Sequence, residues 1–226
     1  MFLTKDNQIK WKKIGLGALI TAGLILGGIF WFDKPVFNFL RQGDARIWYW
    51  FDKIFSAQVW IFAALGAAVV FCVKKCVKTD CSFLKCRKSV NLSVFLRDFF
   101  EKTKTSNAFL ILYSVFVTGV VVKVMKILIG RGRPIFYEAL GMTGFVPFST
   151  EWAFNSMPSG HAAVSFAGLV MIGMLAPRFK PLTWTLAILI GLSRVAYGAH
   201  WPTDVIFGAF IGMVVADIIK GKLSRS

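Results

Sequence analysis

Histidine is scarce in this chain: two residues in 226, His161 and His200. The eleven carboxylates are few and form no cluster, which disfavours a carboxylate-built metal site. The four cysteines, Cys72, Cys76, Cys81 and Cys86, are spaced C-x3-C-x4-C-x4-C with no histidine near, which matches no common zinc pattern and reads as reduced thiols. No small-residue cleavage site stands before Trp31-Phe32-Asp33, so the first apolar stretch reads as a retained anchor and not as a signal peptide. Internal repeats, low-complexity tracts and a soluble second domain are also missing, so residues 1–226 are expected to form one domain.

Apolar residues, by contrast, make up 56 % of the chain, with eight Trp and 23 Phe, too many for an ordinary soluble domain. Six apolar stretches are legible, at 14–32, 59–73, 107–129, 161–175, 182–197 and 203–219. The third is ample for a bilayer, whereas the fourth and fifth are short against the usual ~20 residues. The spacing predicts an all-α polytopic membrane bundle of about six transmembrane helices.

The net charge of +16 raises the question of nucleic acid, and the placement of the cations answers it. Lys5, Lys10, Lys12 and Lys13, the loop at 74–104, Arg178 and Lys180, and Lys220, Lys222 and Arg225 hold most of the 27 Lys and Arg, all on one side of an up-and-down topology. By the positive-inside rule both termini are then cytoplasmic. The basic excess is a topology signal and an attraction to anionic lipid, with membrane lipids and no nucleic acid as partners. Within the basic loop, Leu92, Phe95, Leu96 and Phe99 recur at i, i+3, i+4, i+7, as in an interfacial amphipathic helix. Between the first two spans, Ile47, Trp48, Trp50, Phe51, Ile54 and Phe55 form an aromatic patch suited to the membrane interface.

The same topology gathers the polar residues. Lys126 and Arg133 close the third span, Ser159 and His161 open the fourth, Arg194 closes the fifth, and His200 with Asp204 opens the sixth. All converge at the non-cytoplasmic interface. Two of these ends are helix N-termini, where unpaired N–H groups favour an anion. Ser159 is placed as an N-cap, Gly160 allows close approach to the backbone, and Pro202 supports a helix start near Trp201. Asp204 then lies in the first turn, near enough to accept a proton from the His200 ring.

Three ordered blocks carry a resemblance. Lys126 through Arg133-Pro134 reads K-x6-R-P, Pro158-Ser159-Gly160-His161 reads P-S-G-H, and Ser193-Arg194 through His200 to Asp204 reads S-R-x5-H-x3-D. They resemble, without a substitution, the motifs of the type 2 phosphatidic acid phosphatase and vanadium haloperoxidase superfamily, in its integral-membrane lipid phosphatase branch. The resemblance covers the C-terminal half, with the catalytic blocks within 126–204.

The resemblance implies the roles. His200 would attack phosphorus and form a phosphohistidine, with Asp204 orienting its ring. His161 would protonate the leaving oxygen and then activate water. Lys126, Arg133, Ser159, Gly160 through its N–H, and Arg194 would hold the phosphoryl oxygens, with no metal or other cofactor required. The two histidines then need opposite protonation states, His200 neutral and His161 charged. Basic neighbours depress a histidine pKa, so Asp204 and the arriving phosphate dianion supply the balance. Lys123, one turn before Lys126, and Arg131, at a variable position of the first motif, are left without an assigned role.

An intramembrane serine protease is the rival from another class, but its Gly-x-Ser-Gly is absent, since Met157 stands two residues before Ser159. A lipid phosphotransferase would use the same phosphohistidine with an alcohol in place of water. A vanadate-dependent haloperoxidase is expected to be soluble and larger, and an anion transporter has no need of a carboxylate behind a histidine. The expected substrate is a lipid phosphate whose tail stays in the bilayer: phosphatidic acid, phosphatidylglycerophosphate, an isoprenyl phosphate or diphosphate, or lipid A. The expected location is a bacterial inner (plasma) membrane, with the site facing the periplasm or exterior.

Overall fold

The computed structural model describes residues 1–4, 6–43, 45–54, 59–60, 62–70 and 106–223. Helix α1 (Trp11–Gly27) passes through a π-helical turn (Gly28–Phe32) into α2 (Asp33–Arg41). There follow α3 (Ala45–Ile54), α4 (Asn107–Ile129), the short α5 (Pro134–Leu140), α6 (Gly160–Leu175), α7 (Lys180–Ala196) and α8 (Pro202–Leu223). Among the described residues there is no strand, and β pairing is confined to the isolated bridges Leu3–Ile9 and Arg131–Phe145. The all-α membrane bundle is thus present.

Among the described residues, three helical runs are long and apolar enough to cross a bilayer: Trp11–Arg41, Asn107–Ile129 and Pro202–Leu223. Helices α6 and α7 have 16 and 17 residues, which at 1.5 Å per residue fall short of a ~30 Å hydrocarbon core, as their apolar stretches imply. The N-terminal run is longer than the expected 14–32. It continues past Asp33 because that carboxylate is buried and hydrogen-bonded within the protein and does not have to surface at the interface. Residues 62–70 of the second stretch are helical. The four cysteines and the amphipathic pattern at 92–99 lie outside the described residues.

The bundle is inside-out relative to a soluble one only at its rim. Leu19, Phe30, Trp31, Phe62 and Phe116 face outward, as suits lipid, while α6 is buried along nearly its whole length. Close approach of α6 and α8 rests on Gly208 and Gly212, a Gly-x3-Gly pair on α8. A Cβ at Gly208 would strike the Ser159 carbonyl, and one at Gly212 would strike the Ala163 carbonyl. The backbones therefore lie in direct contact, and the starts of α6 and α8 are brought to the same end of the bundle. At the opposite end, the Phe2 N–H donates to the buried carboxylate of Asp217 at 2.7 Å, and Lys220 Nζ donates to the Met174 carbonyl at 2.7 Å. These bonds satisfy polar groups that burial would otherwise leave costly.

Candidate active site

The chain leaves α4 through Gly130, whose φ of 63° is the left-handed conformation typical of a helix C-cap. Its N–H returns to the Lys126 carbonyl at 2.9 Å, and its own carbonyl accepts the Val146 N–H at 2.7 Å. A Cβ at this position would collide with the Val146 carbonyl, so glycine is needed for both the angle and the contact. The Gly132 N–H to Gly144 carbonyl bond, 2.9 Å, continues the pairing, and residues 131–133 are held extended across the bundle end.

This places the first-motif cations. Lys126 Nζ donates to the Asn155 carbonyl and, at 3.3 Å, to that of Ser156. Arg133 donates to Trp152, Ala199 and Asn155 carbonyls at 3.0, 3.2 and 3.3 Å and lies over the Trp152 ring, 4.3 Å from its centroid. Both cations thus share the Asn155 carbonyl, and Arg133 reaches the residue preceding His200.

Ser159 is the N-cap of α6 by position and by its extended backbone, but its side chain makes no capping bond. Its Oγ is buried without a hydrogen-bond partner among the described residues, a costly placement for a hydroxyl that serves structure alone. The Ser159 N–H donates to the Asp204 carbonyl at 2.9 Å, which locks the second motif against the third. A Cβ at Gly160 would come within 3.7 Å of Lys126 Cε, so the absent side chain keeps the helix start open beside the lysine. His161 is half-buried in the first turn of α6.

His200 ends the connection between α7 and α8, its N–H donating to the Arg194 carbonyl at 3.3 Å. Arg194 itself is buried, its guanidinium 5.8 Å from the Tyr197 ring centroid. The His200 ring is buried, with Nδ1 3.6 Å from Asp204 Oδ2, close enough to face it and longer than a formed hydrogen bond. Burial holds the His200 pKa well below the ordinary imidazole value; the Asp204 partner opposes this, and Lys126, Arg133 and Arg194 reinforce it. The ring is therefore neutral at neutral pH. With Nδ1 turned to the carboxylate, Nε2 is the ring nitrogen not facing Asp204. Trp201 is buried against Phe37, with Nε1 donating to the Gly132 carbonyl at 3.0 Å.

Asp204 is fully buried and its charge is met from several directions. Oδ1 accepts from Arg131 at 2.7 Å; Oδ2 accepts the Trp201 N–H at 2.9 Å and the Ser156 hydroxyl. The bond to Trp201 is the reach-back half of a capping box, so one carboxylate both closes the start of α8 and faces the histidine. The eight residues expected at the site, Lys126, Arg133, Ser159, Gly160, His161, Arg194, His200 and Asp204, thus lie at one end of the bundle.

Sequence reasoning missed the group behind them. Arg131 is buried, bound to Asp204 on one side and to Asp33 Oδ2 on the other at 2.6 Å. Burial lowers its pKa, but Asp204 and Asp33 outweigh that and raise it, so it stays charged. Asp33 also accepts the Thr203 N–H at 3.0 Å and its hydroxyl at 2.6 Å. The available signal was a lone aspartate at the end of the first apolar stretch, opposite an unassigned arginine.

Chemically, three cations, a buried hydroxyl, a helix N-terminus and a neutral histidine facing a carboxylate form a setting suited to an anion. Comparison with known proteins agrees. The lipid A 1-phosphatase of Rhizobium johnstonii is 37 % identical over 110 residues, 47 % of this chain and 45 % of that protein. A probable diacylglycerol pyrophosphate phosphatase 1 of Schizosaccharomyces pombe is 31 % identical over 144 residues, 50 % of this chain and 52 % of that protein. The chain spans about half the length of these curated relatives. In fold it is similar to the crystal structure of Aquifex aeolicus LpxE, with a TM-score of 0.50 and 18 % identity over 84 % of this chain and 95 % of that one. The model of the PAP2 superfamily matches residues 107–222, half of the chain, and the protein belongs to that superfamily.

Proposed function

We propose that this protein is a membrane lipid phosphatase that hydrolyses a lipid phosphate monoester or diphosphate through a phosphohistidine. The observation that carries the reading is the 2.9 Å bond from the Ser159 N–H to the Asp204 carbonyl, which sets the open N-terminus of α6 against the His200–Asp204 turn. His200 Nε2 attacks phosphorus as the bond to the lipid oxygen breaks, and His161 gives that oxygen its proton. Asp204 holds the Nδ1 proton and stabilises the ring as it becomes cationic. His161, now neutral, takes a proton from water, whose oxygen displaces Nε2 and releases phosphate. Lys126, Arg133, Ser159, the Gly160 N–H and Arg194 stabilise the charge on the equatorial oxygens.

The names of the relatives support phosphates on glycerolipids and lipid A as the substrate class. The exposed Phe145, Phe148 and Trp152, the last lying under Arg133, offer apolar surface where a lipid tail can remain while its headgroup enters. The test is phosphate release in detergent from phosphatidic acid, diacylglycerol diphosphate, an isoprenyl diphosphate and lipid A, with chelator present. Release from at least one lipid is expected. No release, or release only on addition of a divalent metal, counts against the mechanism.

The chain is further read as one domain of six spans in a bacterial inner membrane, with both termini cytoplasmic and the site on the periplasmic side. The distribution of Lys and Arg supports this orientation. A fluorescent protein fused to the C-terminus, beyond the basic end of α8, should fluoresce, since that reporter folds in the cytoplasm. An alkaline phosphatase fusion active at the same point would reverse the assignment.

A further inference from the structure

Asp204 alone does not explain how the nucleophile is oriented. Its carboxylate is shared among Arg131, Ser156, the Trp201 N–H and His200 Nδ1, and the contact to His200, at 3.6 Å, is the longest of them. Whatever holds Arg131 therefore sets both where Asp204 points and how much of its negative charge is felt at the histidine. That holder is Asp33, 171 residues earlier by number and on the N-terminal helical run outside the family match at 107–222. It grips Arg131 at 2.6 Å, and also the backbone and hydroxyl of Thr203, the residue preceding Asp204. Arg131 closes the ring by donating to the same Thr203 hydroxyl at 2.6 Å.

We infer that Asp33, acting through Arg131 and Thr203, is a positioning residue for the nucleophile, so that the N-terminal helix takes part in catalysis. This rests on the reading of His200 as the nucleophile. The physical reason is a matter of charge and geometry. A guanidinium between two buried carboxylates is neutralised by one and leaves the other's charge for a third group, here the His200 ring as it becomes cationic. The planar fork also fixes the separation of the carboxylates, and hence the rotation of Asp204. The π-helical turn ends immediately before Asp33, where a Cβ at Gly28 would strike the Thr203 methyl, so the run meets the start of α8 at close range.

None of these residues is placed on the phosphate, which separates the expected effects. In the full-length protein, assayed on dioctanoyl phosphatidic acid, Asp33→Asn keeps the shape but removes the charge. It should lower kcat by roughly 10- to 100-fold, the usual scale for a residue supporting a first-contact group, and leave KM unchanged. Inhibition by vanadate, which mimics the five-coordinate phosphorus bonded to His200, should weaken in step with kcat, while inhibition by inorganic phosphate should not. Arg131→Lys keeps the charge but cannot bridge both carboxylates, and is expected to show the same split. It provides the test if Asp33→Asn does not fold, and folded protein is established by a monodisperse elution profile and a cooperative thermal melt. Wild-type kcat and vanadate inhibition in either folded variant, with His200→Ala inactive, overturns the inference and leaves the phosphatase reading intact. Parallel weakening of phosphate and vanadate assigns a binding role and also overturns it. Turnover in His200→Ala would instead remove the reading beneath it.

Discussion

His200→Ala should bring phosphate release down by about 10⁴- to 10⁶-fold, the scale on which removal of an enzymatic nucleophile acts. The size follows from the position of the ring. It is buried, its Nδ1 faces Asp204, and burial together with three nearby cations keeps it neutral at neutral pH. Because its pKa is depressed, protonation would begin to disable the proposed nucleophile only well below the ordinary histidine range, and turnover should persist into mildly acidic solution. Ser159 is not set up to replace it, since among the described residues its Oγ has no hydrogen-bond partner that could act as a base. Rapid quenching of the wild-type protein with 32P-labelled substrate should trap an acid-labile, base-stable phosphoprotein, and the variant should trap none. Full turnover in the variant, or label on Ser159, would transfer the chemistry elsewhere.

His161→Asn should separate the two halves of the reaction. A lipid alkoxide is a poor leaving group, so losing the proton donor is expected to slow hydrolysis of a lipid phosphate by about 10²- to 10⁴-fold. A p-nitrophenolate leaves without a proton, so on p-nitrophenyl phosphate the first step should survive. The second step still lacks its base. The variant should therefore release a burst of p-nitrophenol equal to the enzyme present and then stall with the phosphohistidine accumulated. Equal losses on both substrates with no burst would mean that His161 binds phosphate and does not move protons. His161 lies in the first turn of α6, half-buried and next to Gly160.

The gathering of the candidate residues was legible in the sequence, because the motifs set them at fixed spacing beside the ends of apolar runs, while their roles rest on the resemblance. Apolar run length exposed the helices, and their alternation brought Lys126, Arg133, Ser159, His161, Arg194, His200 and Asp204 to one end. Other features needed the packed bundle. Ser159 was an N-cap by pattern, but its hydroxyl is left for something other than its own helix. Trp201 was placed only as a helix start by its neighbour Pro202, and its burial is set by packing, since Phe37 covers its ring and the Gly132 carbonyl accepts its N–H.

By itself the chain determined the all-α membrane class, the helix order and the superfamily, because hydropathy and spacing are local properties that survive without knowledge of contacts. Only the tertiary structure decided that Asp33, at the end of the first apolar run, belongs to Arg131, Thr203 and Asp204. A buried charge is tolerated only where opposite charge and hydrogen-bond donors surround it, and those partners are set by how helices pack, through contacts such as Gly208 and Gly212 against the carbonyls of α6. No spacing rule links position 33 to position 204; the packed bundle does.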